Sequence, residues 1–264
     1  MKDILLAVWR YRHFVTSSVV NEMRARFARS KLGATWVILQ PLTQAVIYAV
    51  VFSQVLGARM PGVSDRYAYG VYLLAGILGW SLFSEILSRS INVFVDNAQL
   101  LRKIVFPRMC LPVIVAGTAL VNAGLLFIAI FAVLLVLGHL PGPQVLWLPF
   151  LAILVVALGL GLGIFLGVLN VFVRDVAQTM VVVLQIWFWM TPVVYFSAVL
   201  PAGFRKVLEF NPMFPVIVGF QNVVVFNKPP PFADLAWVAA LAVALLGVSL
   251  FVFRRASNQM VDVL

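Results

Sequence analysis

Residues 144–172, QVLWLPFLAILVVALGLGLGIFLGVLNVF, run without a charged side chain. A helix needs about 20 consecutive apolar residues to cross a hydrocarbon core ~30 Å thick, and this stretch exceeds that length. In hydrocarbon every backbone N–H and C=O must find a partner within the protein, which a helix provides. The segment therefore reads as a membrane-spanning helix, and apolar stretches recur on both sides of it. They place six spans at about 34–57, 69–93, 111–137, 144–172, 178–197 and 234–253. Composition points the same way: 63% of the residues are hydrophobic and 11% charged, against about half and a quarter in soluble domains. The expected fold class is an all-α integral membrane protein with the bilayer as its solvent.

The net charge of +10 raises the question of a nucleic-acid partner, but the basic residues flank apolar spans and form no groove-sized patch among stacking aromatics. No nucleic acid is expected. Six crossings put both termini on one side, together with Lys2, Arg10, Arg12, Arg24, Arg26, Arg29, Lys31, Arg89, Arg102, Lys103, Arg108, Arg174, Arg254 and Arg255. The other side carries Arg59, Arg66, Arg205, Lys206 and Lys228. The positive-inside bias then makes both termini cytoplasmic. The first residues interleave charges with short apolar runs and lack a small-residue cleavage site, so no removable signal peptide is expected. A lone Cys110 permits no internal disulfide, and His13 and His139 lie far apart, so no metal cluster is expected.

Polar residues inside the spans are the candidates for function. Ser81, Ser84, Glu85, Ser88 and Asn92 fall within an arc of about 100° on the second span. Facing lipid, such a stripe is costly, so it belongs to a bundle interior or a water-filled path, with Glu85 its most expensive member. Glu85 also precedes Arg89 by one helical turn, so a local ion pair with the serines as interhelical glue is the competing reading. On the first span Gln40, Thr43, Gln44, Tyr48 and Gln54 cluster around Pro41, a pattern that suits helix packing and also a conduit. On the fifth, Gln178, Gln185, Trp189, Pro192 and Phe196 share a face, with Trp187, Phe188 and Tyr195 at the same level. Flat rings can stack on the C–H faces of sugars, or simply form an interfacial aromatic belt. The candidate path lining is thus Trp80, Phe83, Ser84, Glu85, Ser88, Gln185, Trp187, Trp189 and Tyr195.

Gly159, Gly163 and Gly167 recur every fourth residue and open one ridge of the fourth span to close helix packing. Between the second and third spans, Asp96 and Gln99 have capping-box-like spacing before Leu100, Leu101, Ile104 and Val105, predicting a short amphipathic helix that ends near Pro107. Arg102, Lys103 and Arg108 beside it are topological anchors or contacts for a soluble partner. Residues 198–232 form the longest external connection, two apolar pieces split by Asn211-Pro212 and each short for a crossing, which predicts a hairpin dipping into the outer leaflet, with an ordinary external loop carrying some apolar residues as the competing reading. The sequence has no G-x-x-x-x-G-K-[ST] phosphate loop, so energy from ATP has to enter through another chain. Gly79-Trp80-Ser81 lacks the context of a nucleophile elbow, so no catalytic residue is assigned.

The segment Arg26-Phe27-Ala28-Arg29-Ser30-Lys31-Leu32-Gly33-Ala34-Thr35-Trp36, with Gln40-Pro41-Leu42 after it, resembles the start of the first span in ABC type-2 polysaccharide export permeases. Further matching stretches are 97–107 (NAQLLRKIVFP), 172–176 (FVRDV), 191–195 (TPVVY) and 211–213 (NPM), so the resemblance covers nearly the whole chain. Phe27 stands where Tyr is common, a change that preserves ring packing.

The resemblance implies a homodimer of six-span subunits in a bacterial inner membrane, bound to two copies of a cytoplasmic ABC ATPase. It further implies export of a polyprenyl-pyrophosphate-linked polysaccharide such as O-antigen, capsule or teichoic acid. ATP and Mg are then the partner's cofactors, and none is expected here. Residues 1–32 become a cytoplasmic amphipathic segment, 33–264 a single six-helix transmembrane domain, and 96–107 the coupling helix through Asp96, Gln99, Leu100, Leu101, Arg102 and Lys103. Arg24, Arg26, Arg29 and Lys31 are placed to attract the carrier's pyrophosphate, or serve only to set topology. A drug or small-lipid exporter is the alternative within this architecture; an ion-coupled carrier using Glu85, or a structural scaffold, is the alternative outside it.

Overall fold

The computed structural model describes residues 9–28, 35–50, 68–103, 107–136, 142–196 and 201–263. Among them all regular structure is helical. The helices are α1 (Arg12–Ala28), α2 (Thr35–Val50), α3 (Ala68–Asp96), α4 (Ala98–Lys103), α5 (Cys110–Val136), α6 (Leu148–Phe172), α7 (Asp175–Trp189), α8 (Ala202–Glu209), α9 (Met213–Val224) and α10 (Phe232–Val263), with a 3₁₀ turn at Pro143–Trp147 leading into α6.

Four described segments are long and apolar enough to cross a bilayer: Tyr69–Asp96, Cys110–Ala132, Pro143–Phe172 and Phe232–Ser257. The chain is an all-α, multi-pass membrane protein. The second, third and fourth expected spans coincide with α3, α5 and the turn plus α6. The first is helical over α2, and its remainder lies outside the described residues. The sixth runs well past its expected end at Phe253, to Val263.

The fifth departs from expectation. Its helix stops at Trp189, because Thr191-Pro192 follows: proline offers no N–H to the ladder, and its ring biases the preceding residue away from helix. Pro192 and Phe196 therefore do not continue the face that carries Gln178, Gln185 and Trp189. Residues 191–194 are nonetheless buried.

The core is organised around α6, which packs most extensively against α10 and α3. The glycine ridge makes the second contact possible. A Cβ on Gly163 would lie 2.5 Å from the Ser90 Cβ, and one on Gly167 would lie 2.6 Å from the Ser90 carbonyl oxygen. Helix α9 is buried along most of its length against α3, where a Cβ on Gly79 would meet the Phe220 ring at 2.8 Å. On α8, which follows a segment outside the description, Leu208 is buried. Helix α1 lies on α5 through Val15 and Met23, with Val19 over Gly117.

A second apolar cluster joins the ends of several helices. Val93, Phe94, Leu101, Met109, Phe253 and Met260 belong to it, and Phe94 stacks on Phe253 with centroids 5.6 Å apart. Arg108 donates to the Ser257 carbonyl. The last turns of α10 are thus fastened to α4 and to its connection with α5.

Candidate functional site

The polar stripe of α3 opens on a cavity of about 700 Å³ between α2, α3, α5 and α7. Trp80, Ser81, Ser84, Glu85 and Ser88 line it from α3, Gln40 from α2, Asn122 from α5, and Gln185, Phe188 and Trp189 from α7. Apolar Ile77, Leu82, Ala119, Ala123, Leu126 and Leu184 complete the wall.

The serines bond within their own helix. Ser81 donates to the Leu78 carbonyl at 3.1 Å, Ser84 to Ser81 at 3.3 Å and Ser88 to Ser84 at 2.6 Å. Such back-bonding is how hydroxyls are held in apolar helices, and here it leaves their oxygens along the cavity wall. They do not form the interhelical glue that the sequence also allowed.

Glu85 does more than pair locally. It accepts from Arg89 at 3.4 Å and from the Asn122 amide at 2.7 Å. Arg89 reaches Glu22 of α1 at 2.6 Å, and the Thr118 hydroxyl donates to the other oxygen of Glu22 at 3.1 Å. One hydrogen-bonded network thus ties α1, α3 and α5 together beside the cavity. Sequence reading found Glu85 and Arg89 but missed Glu22, Thr118 and Asn122. The one available signal was Thr118 and Asn122 spaced a turn apart in an otherwise apolar span.

Three expected lining residues lie elsewhere. Phe83 is fully buried with its ring 5.1 Å from that of Trp187. The Trp187 indole donates to Asn211 Oδ1 at 2.7 Å, and the Tyr195 carbonyl accepts from the Tyr72 hydroxyl at 2.9 Å. All three belong to the packing between α3, α7 and the Asn211 turn. The reason is the break after Trp189, which takes Tyr195 off the helix, together with the position of Trp187 on a different side of α7 from Gln185 and Trp189.

The non-helical segment 190–196 is held by side chains that accept or donate in place of a helical ladder. Tyr69 donates to the Val194 carbonyl at 2.8 Å, Gln221 to Pro192 at 2.7 Å, and Asn211 to Met190 at 3.1 Å and to the Thr191 hydroxyl at 2.9 Å. Irregular backbone at membrane depth is tolerated where protein groups satisfy it in this way. Asn211→Ala removes the acceptor of the half-buried Trp187 indole and is expected to cost about 2 kcal/mol, read by unfolding in detergent. Combined with Trp187→Phe the loss is expected to be less than additive, because the stranded donor is then gone; additivity refutes the pairing.

At the other end of α3, the expected cap at Asp96 is displaced. Asp96 is the last residue of α3, and Asn97 occupies the break, its amide donating to the Val93 carbonyl at 2.8 Å. A helix end leaves carbonyls without partners, and Asn97 satisfies one. Asp96 and Gln99 are exposed, Leu100 is half-buried and Leu101 is buried in the second cluster. Arg102 and Lys103 are helical, their side chains outside the description. Arg24 is exposed on α1; Arg26 lies in the last turn of that helix with its side chain outside the description, and Arg29 and Lys31 lie outside the described residues. Thr43 bonds its own helix, while Gln44, Tyr48 and Gln54 are outside the side chains described.

A bundle of long apolar helices around a partly polar cavity is the architecture of a membrane permease. The chain belongs to the ABC-2 type transporter family, whose profile matches residues 15–225. It is 27% identical to an O-antigen export system permease protein RfbA of Klebsiella pneumoniae over 88% of each chain, and 27% identical to the protein of that name from Myxococcus xanthus over 99% of each. It is 22% identical to the polysialic acid transport protein KpsM of Escherichia coli over 93% of this chain and 94% of that one.

Proposed function

We propose that this chain is the permease subunit of an ABC exporter that moves a lipid-linked polysaccharide, of the O-antigen class, across a bacterial inner membrane. The observation that carries the reading is the α3 stripe: costly polar groups, including a carboxylate, sit in an apolar bundle where they line a cavity rather than face lipid. The names of the relatives supply the cargo class. A separate cytoplasmic ATPase, with ATP and Mg in its own sites, supplies the energy.

In this reading the subunit crosses six times with cytoplasmic termini, and two copies form the transporter. Helix α7 has no buried residue within the subunit yet borders the cavity through Leu184, Gln185, Phe188 and Trp189, so a second copy laid against it joins two cavities into one path. Helix α4 is the coupling helix. A push on it reaches α3, α6 and α10 through Leu101 and the second cluster. Helix α1 lies at the cytoplasmic interface, where Arg24, Arg26, Arg29 and Lys31 attract the carrier pyrophosphate, and α8 with α9 forms the external re-entrant hairpin.

Removing the chain from its host is expected to abolish surface glycan and to accumulate the lipid-linked polymer inside. Surface glycan at the original level, or transport in liposomes that runs on a proton gradient and resists vanadate, overturns the proposal.

A further inference from the structure

At the N-terminal end of α10 a second cleft, of about 260 Å³, lies between α8, α9 and the first turns of α10. We propose that it binds the headgroup of a zwitterionic phospholipid with a primary ammonium, held in the outer leaflet; the leaflet rests on the topology of the exporter reading.

The lining supplies a partner for each part of such a headgroup. Arg205 and Glu209 come from α8, Phe214 and Val218 from α9, and Asp234 and Trp237 from α10. Glu209 accepts from Nε of Arg205 at 3.1 Å, which leaves the terminal guanidinium nitrogens for a phosphate oxygen. On α10, Asp234 has no ion pair or hydrogen bond of its own among the described residues, and the Trp237 ring one turn along is exposed. A carboxylate and an aromatic face at that spacing both attract an ammonium. Buried Phe214 and half-buried Val218 give the cleft its apolar side.

Trp237 also begins a route for the acyl chains. Trp237, Ala240, Ala244, Val248 and Phe251 recur every three or four residues along α10, and all are exposed. With α6 packed on another face of α10 and the second copy laid on α7, this stripe faces lipid. Trp is also the residue that marks the level where hydrocarbon gives way to headgroups. A free sugar or an inorganic anion uses the polar groups alone, whereas a phospholipid uses the polar groups and the stripe together. A lipid bound there ties α10 to α8, on which Leu208 is the one buried residue among those described.

The test titrates lipid-depleted full chain in detergent with phosphatidylethanolamine, phosphatidylcholine and phosphatidylglycerol, and reads retained lipid by native mass spectrometry. All three carry the phosphate; the second lacks N–H donors on its cation and the third lacks the cation. Phosphatidylethanolamine is expected to bind ~10-fold more tightly than phosphatidylglycerol, the size of one charge-assisted hydrogen bond, with phosphatidylcholine between them. Asp234→Asn is expected to remove that preference, whereas Arg205→Gln is expected to weaken all three lipids alike. The Arg205–Glu209 pair is half exposed, so melting of Arg205→Gln in lipid-free detergent is expected to match the wild type. Equal binding of the three lipids by the wild type, or a preference that survives Asp234→Asn, overturns the site. So does binding of a lipid-free neutral oligosaccharide that Trp237→Leu abolishes, with no preference among the lipids, which assigns the cleft to glycan. No ATPase enters these arms, so the exporter topology is tested apart from them. Gly203→Cys, where a Cβ meets nothing within 4 Å, is expected to react with an impermeant maleimide from outside the membrane. Reaction from the cytoplasmic side overturns the topology and the leaflet while leaving the headgroup site standing.

Discussion

Arg89→Ala is expected to destabilise the protein by about 2–3 kcal/mol, measured by thermal or denaturant unfolding in detergent. Breaking a fully buried ion pair costs about 3–5 kcal/mol, most of it from the charge left behind. Each side chain here keeps about a quarter of its surface exposed, and water reduces the figure accordingly. The substitution leaves two carboxylates, Glu22 and Glu85, near each other with their shared cation removed. Glu22→Gln in the Arg89→Ala background is therefore expected to recover about 1 kcal/mol, although Glu22→Gln alone destabilises. Strict additivity of the two changes contradicts the network. The same pair of variants tests whether α1 is fastened to the bundle through this contact, since protease cleavage within α1 is then expected to accelerate in Arg89→Ala.

Gly163→Val is expected to cost about 3 kcal/mol, the upper end of ordinary overpacking. Its Cβ alone would come within 2.5 Å of the Ser90 Cβ and 3.6 Å of the Ile86 carbonyl oxygen, so α3 and α6 have to separate along their main contact. That contact also fixes the rotation of α3 that turns Glu85 and the serines toward the cavity. Loss of export is expected alongside loss of stability. Gly163→Ala is the milder probe, and Ser90→Gly beneath it removes the atom it strikes, so the double variant is expected to be more stable than Gly163→Ala alone. Gly124 on α5 is the control: a Cβ there meets nothing within 4 Å, and Gly124→Ala is expected to be neutral or stabilising by up to about 1 kcal/mol. Equal losses at Gly124 and Gly163 contradict the close approach of α3 and α6.

The long helices were legible because span length and hydropathy are local properties. The stretch at 144–172 announces itself, and the second and third spans coincide with α3 and α5 nearly end to end. The stripe was legible for a related reason: a helix converts sequence spacing into angle, so Ser84, Glu85 and Ser88 were assigned to one face without knowledge of the neighbours. The fifth span was less so. Its apolar character continues to Phe196, and hydropathy does not register that Thr191-Pro192 ends the helix while the chain stays buried.

The candidate site divides in the same way. Trp80, Ser84, Glu85, Ser88, Gln185 and Trp189 meet at the cavity, whereas Phe83, Trp187 and Tyr195 do not. An aromatic ring is equally at home in a path wall and in a packed core, so its side of the helix decides, and that depends on partners distant in sequence. Asn211 is such a partner for Trp187.

Sequence by itself determined that the chain lives in a membrane as long helices, that polar groups share one side of α3, and that the fourth-span glycines admit a close neighbour. Each follows from composition and periodicity along a single helix. Only the tertiary structure decided which neighbour fills that ridge, that α2, α5 and α7 close a cavity over the stripe, and that Glu85 shares Arg89 with Glu22 of α1. Those are relations between helices far apart in the chain, set by steric fit and by the need of each buried polar group for a partner, and no local pattern encodes them.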